Sequence, residues 1–292
     1  MTTPEFRVYI APARLYPEIW RLLLGLLLIL FTYLGLSALM LAGMFLATEP
    51  TGVQPLLGMV SGASRPMPTL VLLLSFAGLG LGAVVAAAAC HFRGPGTLFG
   101  PFDEMLRAFV IAAVISVLFL GVFTALAFAL DPPHDNLPLD VWLRYLPFAV
   151  SAVLLQTASE ELVFRAYLPQ QLAARFSARA VWMGLPAMVF AVLHYDPEFG
   201  AVSWLIVATV FVFALIASDL VVQTGNLGAA MGLHFANNLF ALLIVSMDGT
   251  ITSLSLFVIP TPANAAEWAV ALGINTLLLL FLWRVLRFVL TR

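Results

Sequence analysis

Two adjacent glutamates, Glu160 and Glu161, are followed by Arg165 in a chain segment that is otherwise apolar. Ionisable side chains are costly in such surroundings, and they therefore indicate a functional site. Glu161 and Arg165 are four residues apart, so on a helix they share a face and can form an ion pair. Glu160 then points about 100° away from Glu161, which leaves its carboxylate available for proton transfer.

Two histidines and an asparagine complete the set of candidate catalytic residues. His194 follows Phe190 by four residues and His234 precedes Asn238 by four, so the members of each pair share a helical face. A glutamate in an apolar site, close to a second carboxylate, is suited to take a proton from water. N–H donors of His234 and Asn238 can stabilise the oxyanion that forms when a carbonyl is attacked. The pattern predicts water-mediated hydrolysis of an amide in a membrane cavity.

Each of these residues also has a structural interpretation. Glu161 and Arg165 can be a packing pair that fixes the position of a helix, and His194 can mark a membrane boundary. Asn238, like Asn237, can join two helices by a hydrogen bond. The functional interpretation is favoured because two of the four histidines fall in apolar segments, each at helical spacing from a possible partner.

The composition indicates a polytopic membrane protein. Of 292 residues, 62% are hydrophobic and 10% are charged, whereas about 25% of the residues of a soluble domain are charged. All 13 basic residues are arginine, which excludes a lysine nucleophile, and they do not form the dense tracts that bind nucleic acid. The single cysteine, Cys90, excludes an intrachain disulfide and a cysteine-rich metal site.

The apolar segments predict an all-α fold with about eight transmembrane helices that enclose an intramembrane polar cavity. The first of them, after an interfacial segment over residues 1–21, is long enough to cross the bilayer with some tilt. The predicted spans cover residues 22–46, 69–90, 106–130, 141–175, 180–195, 202–222, 227–245 and 268–286.

The placement of arginine predicts the orientation of the chain. Arginines concentrate at the N-terminus and in residues 91–107, 165–179 and 284–292, whereas the loops between these segments carry acidic residues and only Arg65. The positive-inside rule then places both termini in the cytoplasm, in a multi-pass protein of the inner or plasma membrane. We divide the chain into an N-terminal region over 1–140 with three helices, a catalytic core over 141–250, and a C-terminal loop and helix over 251–292.

Three short motifs carry a family resemblance. They are Glu160-Glu161-x-x-x-Arg165, Phe190-x-x-x-His194 and His234-x-x-x-Asn238, in this order and on separate spans. The motifs resemble those of the CPBP (CAAX protease and bacteriocin-processing, or Abi) intramembrane proteases. That family includes the type II CAAX prenyl endopeptidases and bacteriocin self-immunity proteins, and the resemblance covers approximately residues 145–245.

The resemblance implies a role for each matching residue. Glu160 would activate the attacking water with the help of His194. His234 and Asn238 would form the oxyanion hole. The supporting residues would be Glu161, Arg165 and Phe190.

The resemblance leaves the question of a metal open. A glutamate with two histidines, here Glu160, His194 and His234, could hold a catalytic zinc ion with one open position. The sequence has no H-E-x-x-H motif, and the resemblance also fits a glutamate mechanism without metal. We predict that the protein uses no metal or other cofactor, with zinc on these three residues as the alternative.

The motifs and the composition together predict an intramembrane endopeptidase. Its partners would be the lipid bilayer and a membrane-associated or lipidated peptide or protein substrate, with no role for nucleic acid. A catalytically idle scaffold or a bacteriocin-immunity protein of the same fold is one alternative. A proton-coupled transporter that uses Asp219 in a relay is another, although no internal repeat is evident in the sequence.

Overall fold

The computed structural model describes residues 3–47 and 66–291, so Arg65 and the predicted loop around it lie outside the described residues. Within the described ranges, six helices are long and apolar enough to cross a membrane, and two further apolar helices are shorter. Together they account for the eight predicted spans. The prediction of an all-α polytopic membrane protein is therefore confirmed.

The helices follow the predicted spans closely, with most boundaries shifted by a few residues. In chain order the α-helices are α1 Pro4–Ile10, α2 Ile19–Ala47, α3 Pro66–Ser75, α4 Ala77–His91, α5 Gly96–Phe99, α6 Phe102–Leu130, α7 Leu139–Glu161, α8 Leu168–Arg175, α9 Leu185–Val192, α10 Ser203–Thr224, α11 Gly228–Leu239 and α12 Ala265–Leu290. Short 3-10 segments cover Ala11–Leu15 and Pro197–Val202.

Three π-helical segments interrupt the helices that carry the motifs: Leu162–Tyr167, Ala180–Gly184 and Phe240–Ile244. Prolines account for the first two. Pro169 and Pro186 are each the second residue of the α-helix that follows such a segment. A proline has no N–H to donate, and its ring collides with the carbonyl four residues earlier. Widening to a π-helix relieves this conflict, and π segments are frequent at functional sites.

The glycines of the second predicted span allow close packing against the site helix. This span consists of α3 and α4, which meet at Phe76. A Cβ atom at Gly82 would lie 2.8 Å from Cα of Ile29 in α2, and one at Gly80 would lie 2.7 Å from Oγ of Ser159 in α7. Helix α4 therefore lies between α2 and the helix that carries Glu160, as small residues permit.

A small β-sheet supplements the helices, and the sequence did not predict it. Strands β1 (His134–Asp135) and β2 (Val245–Met247) both pair with β3 (Phe257–Ile259), the first antiparallel and the second parallel. Each strand is only two or three residues long, which is too short for a period-2 pattern to be visible in sequence. The sheet joins the loop between α6 and α7 to the connection between α11 and α12.

Both described chain ends lie at the same end of the helix bundle. Glu5 of α1 and Thr291 after α12 line one cavity, together with Arg107. An even number of spans requires this arrangement. Which side of the membrane this end faces stays a prediction.

A buried polar network at this end ties the N-terminal segment to α8. Arg93 donates to Oε1 of Gln170 at 2.8 Å, and Nε2 of Gln170 donates to the carbonyl of Thr97 at 2.8 Å and to that of Tyr9 at 3.3 Å. Burial lowers the pKa of the Arg93 guanidinium and raises the pKa of the Tyr9 phenol. Since α8 continues the helix that carries Glu160 and Glu161, this network fixes one end of the site helix.

Candidate active site

The two glutamates occupy the last residues of α7, immediately before the first π segment. Glu161 is completely buried, whereas the side chain of Glu160 is 11% exposed. Nη1 of Arg165 lies 3.2 Å from Oε1 of Glu161, so the ion pair expected from their spacing is present. The two carboxylates therefore differ in environment, since Glu161 is buried beside a cation and Glu160 is partly accessible from outside the core.

His234 in α11 lies between the two glutamates. Its Nδ1 atom is 2.7 Å from Oε1 of Glu161, and its Nε2 atom is 3.6 Å from Oε2 of Glu160. Because an ionised carboxylate only accepts hydrogen bonds, Nδ1 of His234 carries the hydrogen and donates a hydrogen bond to Glu161. Glu161 therefore contacts a predicted catalytic residue directly, in addition to pairing with Arg165.

His194 lies just after α9, with its ring oriented by its own helix. Its Nδ1 atom donates a hydrogen bond to the carbonyl of Phe190 at 2.8 Å, which leaves Nε2 available as an acceptor when the ring is neutral. His194 makes no hydrogen bond or ion pair with Glu160. The predicted cooperation between these two residues would therefore have to pass through a water molecule.

The Phe190 ring packs against several of the site residues. The guanidinium carbon of Arg165 lies 4.1 Å from the centre of the ring, and the rings of His194 and His234 have centroids 4.7 and 6.0 Å away. Such contacts between a cation and an aromatic face are favourable when they are desolvated. Phe190 thus holds Arg165 and both histidines in place.

Asn238 is oriented by two further amides. Its Nδ2 atom donates to Oε1 of Gln156 at 2.9 Å, and its Oδ1 atom accepts from Nδ2 of Asn237 at 3.2 Å. The sequence interpretation missed Gln156, although it precedes Glu160 by four residues and so lies on the same face of α7. The i,i+4 rule that was applied to the other pairs would have found it.

A cavity of about 200 Å³ adjoins these residues. His194, His234 and Asn238 line it together, so the structure brings three of the four predicted catalytic residues to one space. Glu160 does not itself line this cavity and contacts it through His234. The remaining lining residues come from α6, α9, α10, α11 and α12: Phe119, Leu120, Phe190, Thr209, Val210, Phe213, Leu233, Asn237, Asn275, Leu278, Leu279 and Leu282.

The alternative zinc site would need three ligand side chains directed at one point. Among the described residues, no group of three His, Cys, Asp or Glu side chains is placed to hold a metal ion. The hydrogen bonds at Nδ1 of His194 and Nδ1 of His234 do not decide the question, because histidines that ligate a metal through Nε2 usually make such a bond. The absence of a metal on Glu160, His194 and His234 stays a prediction.

Asp219, the candidate for a proton relay, lies away from this cavity. Oδ2 of Asp219 accepts from Nε1 of Trp283 at 2.9 Å and lies 3.5 Å from Nη1 of Arg287. These contacts join α10 to α12. Asp219 therefore acts as a link between two helices, and the structure gives no support to a relay that begins there.

The fold and the site define a polytopic membrane protein with a glutamate–histidine cluster beside a cavity that has polar lining residues. Residues 142–240 match the family model described as type II CAAX prenyl endopeptidase Rce1-like. The matched region contains all of the predicted site residues, and the match supports the predicted resemblance to the CAAX protease-like family over this part of the chain. No curated protein and no solved structure matches the chain. Over these residues the chain is therefore similar to the CAAX-type intramembrane proteases.

Proposed function

We propose that the protein is an endopeptidase that hydrolyses a peptide bond of a membrane-associated or lipidated substrate within the bilayer. The observation that carries this proposal is the position of His234, whose ring lines the cavity while its two nitrogens face Glu161 and Glu160. A purely structural ion pair would need only Glu161 and Arg165. The additional carboxylate and histidine supply a proton acceptor and a donor next to a space that can hold the reacting carbonyl.

In the proposed reaction, Glu160 takes a proton from water, and the water oxygen forms a bond to the carbonyl carbon of the substrate. His194 orients this water through its Nε2 atom, which is available because Nδ1 is bound to the Phe190 carbonyl. The tetrahedral intermediate then collapses with cleavage of the C–N bond, and Glu160 returns its proton to the leaving amine. General acid–base catalysis of this type contributes about 10²- to 10⁴-fold to the rate.

The oxyanion would be stabilised by His234 and Asn238. Because Nδ1 of His234 donates to Glu161, an N–H at Nε2 requires the doubly protonated, cationic ring. Asn238 uses one amide N–H on Gln156 and retains a second for the oxyanion.

The test is cleavage of a fluorogenic farnesylated C-a-a-X peptide by detergent-purified protein, with the same peptide lacking the lipid as a comparison. We expect Glu160→Gln and His234→Ala to lower kcat by about 10²-fold or more. Glu198→Gln is the matched control, since this glutamate is exposed on a 3-10 segment. Wild-type rates in the Glu160→Gln protein would refute the assigned mechanism. A folded wild-type protein that cleaves neither peptide would support the idle scaffold instead.

A further inference from the structure

The C-terminal helix α12 contributes one polar side chain to the cavity. Asn275 lines it together with Leu278, Leu279 and Leu282, which lie on the same face of α12 three, four and seven residues later. This helix lies outside the region that matches the family model. A single amide in an otherwise apolar face therefore needs an explanation that the family motifs do not provide.

Asn275 also differs from the other uncharged polar residues of the cavity in having no partner. Thr209 donates to the carbonyl of Leu205 at 3.1 Å, and Asn237 and Asn238 are hydrogen-bonded to each other. Asn275 makes no hydrogen bond with any residue that the structure describes. Asn275 is exposed, so its amide is free to bind a ligand in the cavity.

The orientation of α12 is fixed at its other end. Trp283 and Arg287, eight and twelve residues after Asn275, both contact Asp219 of α10. These contacts set the rotation of α12 about its axis. The same rotation directs the face with Asn275 and the three leucines toward the cavity. The position of Asn275 is thus determined by the packing of α12 against α10.

We propose that Asn275 binds the backbone of the substrate peptide, so that α12 forms one wall of the substrate site. A carboxamide offers one acceptor and two donor hydrogens and can pair with the C=O and N–H groups of an extended peptide. It carries no charge, so it suits a peptide group and not a charged side chain. This inference rests on the proposed peptidase function, and it makes Asn275 a substrate-binding residue and not a proton-transfer residue.

The experiment measures both binding and cleavage of the farnesylated C-a-a-X peptide. Binding is followed by fluorescence anisotropy with a labelled peptide in the Glu160→Gln background, so that it does not depend on turnover. We expect Asn275→Leu to weaken binding by about three- to tenfold and to raise KM in the active protein with little change in kcat. Thr276→Val is the matched control, because Thr276 donates only to the carbonyl of Leu272 on its own helix.

The possible outcomes separate this inference from the proposed function. If the Asn275→Leu and Thr276→Val proteins bound the peptide with equal affinity and both cleaved it, the role of Asn275 would be refuted. The proposed peptidase function would stand. Binding that weakens in Asn275→Leu without any cleavage by the wild type would support the role of Asn275 and refute the peptidase. Absence of both binding and cleavage would overturn both proposals. If light scattering showed the wild type as a dimer and the Asn275→Leu protein as a monomer, the amide would belong to a contact between two copies of the chain. That result would overturn the inference.

Discussion

Nδ1 of His234 lies 2.7 Å from Oε1 of Glu161, and the same oxygen lies 3.2 Å from Nη1 of Arg165. A single buried carboxylate oxygen thus serves both the ion pair and the histidine at the cavity. Because this oxygen accepts from Nδ1, the Nε2 atom is the one that faces Glu160. Glu161 therefore determines the proton arrangement of His234 as well as the charge balance of the core.

The contact predicts that Glu161→Gln lowers both stability and activity. The substitution leaves the guanidinium of Arg165 buried without a counter-ion, and breaking a buried pair in this way costs about 3 kcal/mol or more. It also removes the ionised acceptor that fixes Nδ1–H of His234. We expect a lower midpoint of thermal unfolding and a loss of peptide cleavage in the same protein.

The double variant Glu161→Gln with Arg165→Met separates these two effects. Removing the unpaired cation should restore much of the lost stability, because a buried ion pair can often be replaced by apolar residues at little cost. Activity should stay low, since His234 still lacks its carboxylate. Recovery of cleavage together with stability would show that Glu161 serves only to neutralise Arg165.

Gln156→Leu is predicted to reduce kcat without a matching change in KM. Gln156 accepts from Nδ2 of Asn238 at 2.9 Å and so fixes the direction of that amide, but it does not line the cavity. We expect kcat to fall by about tenfold. Ser151→Ala on the same helix is the control, because Ser151 donates only to the carbonyl of Pro147. An unchanged kcat, or an effect confined to KM, would argue against a positioning role.

Much of the site followed from local spacing along the chain. The pairing of Glu161 with Arg165, and the shared faces of Phe190 with His194 and of His234 with Asn238, depend only on helical geometry. The family motifs placed these pairs in one site, and the cavity brings His194, His234 and Asn238 together. These relationships could be predicted because residues four positions apart meet on any helix.

Contacts between helices could not be predicted in the same way. Spacing indicated that Glu160 and Glu161 would point in different directions, yet both face His234, since α11 approaches the end of α7 between them. The contribution of Asn275 depends on how α10 holds α12, and no local pattern records that contact. The π segments were likewise missed, although Pro169 and Pro186 mark two of the positions where they end.

Close packing between α11 and α6 predicts a large effect of Gly232→Ala. A Cβ atom at residue 232 would lie 2.5 Å from the carbonyl oxygen of Phe109 and 2.8 Å from the amide nitrogen of Ala113. Since backbone atoms cannot move aside as a flexible side chain can, α11 must shift, at a cost of about 1–3 kcal/mol. The shift displaces His234 and Asn238, so we expect lower activity along with lower thermal stability.

Gly273→Ala is the matched control for this prediction. A Cβ atom at residue 273 in α12 meets nothing within 4 Å, and alanine favours a helix over glycine by up to about 1 kcal/mol. Stability and activity should therefore be retained. Equal behaviour of the two variants would contradict the close approach of α11 and α6.

The arrangement of possible ligands predicts that activity survives the removal of divalent metals. Among the described residues, no three His, Cys, Asp or Glu side chains are placed together to hold a metal ion. Dialysis against a chelator should change kcat/KM by no more than about twofold, with metal content measured in the same samples. Loss of cleavage that stoichiometric zinc restores would contradict this prediction. In that case Glu160→Gln should lower the bound zinc as well as the rate. If Glu160 acts only as a proton acceptor, the same substitution should lower the rate and leave the metal content unchanged.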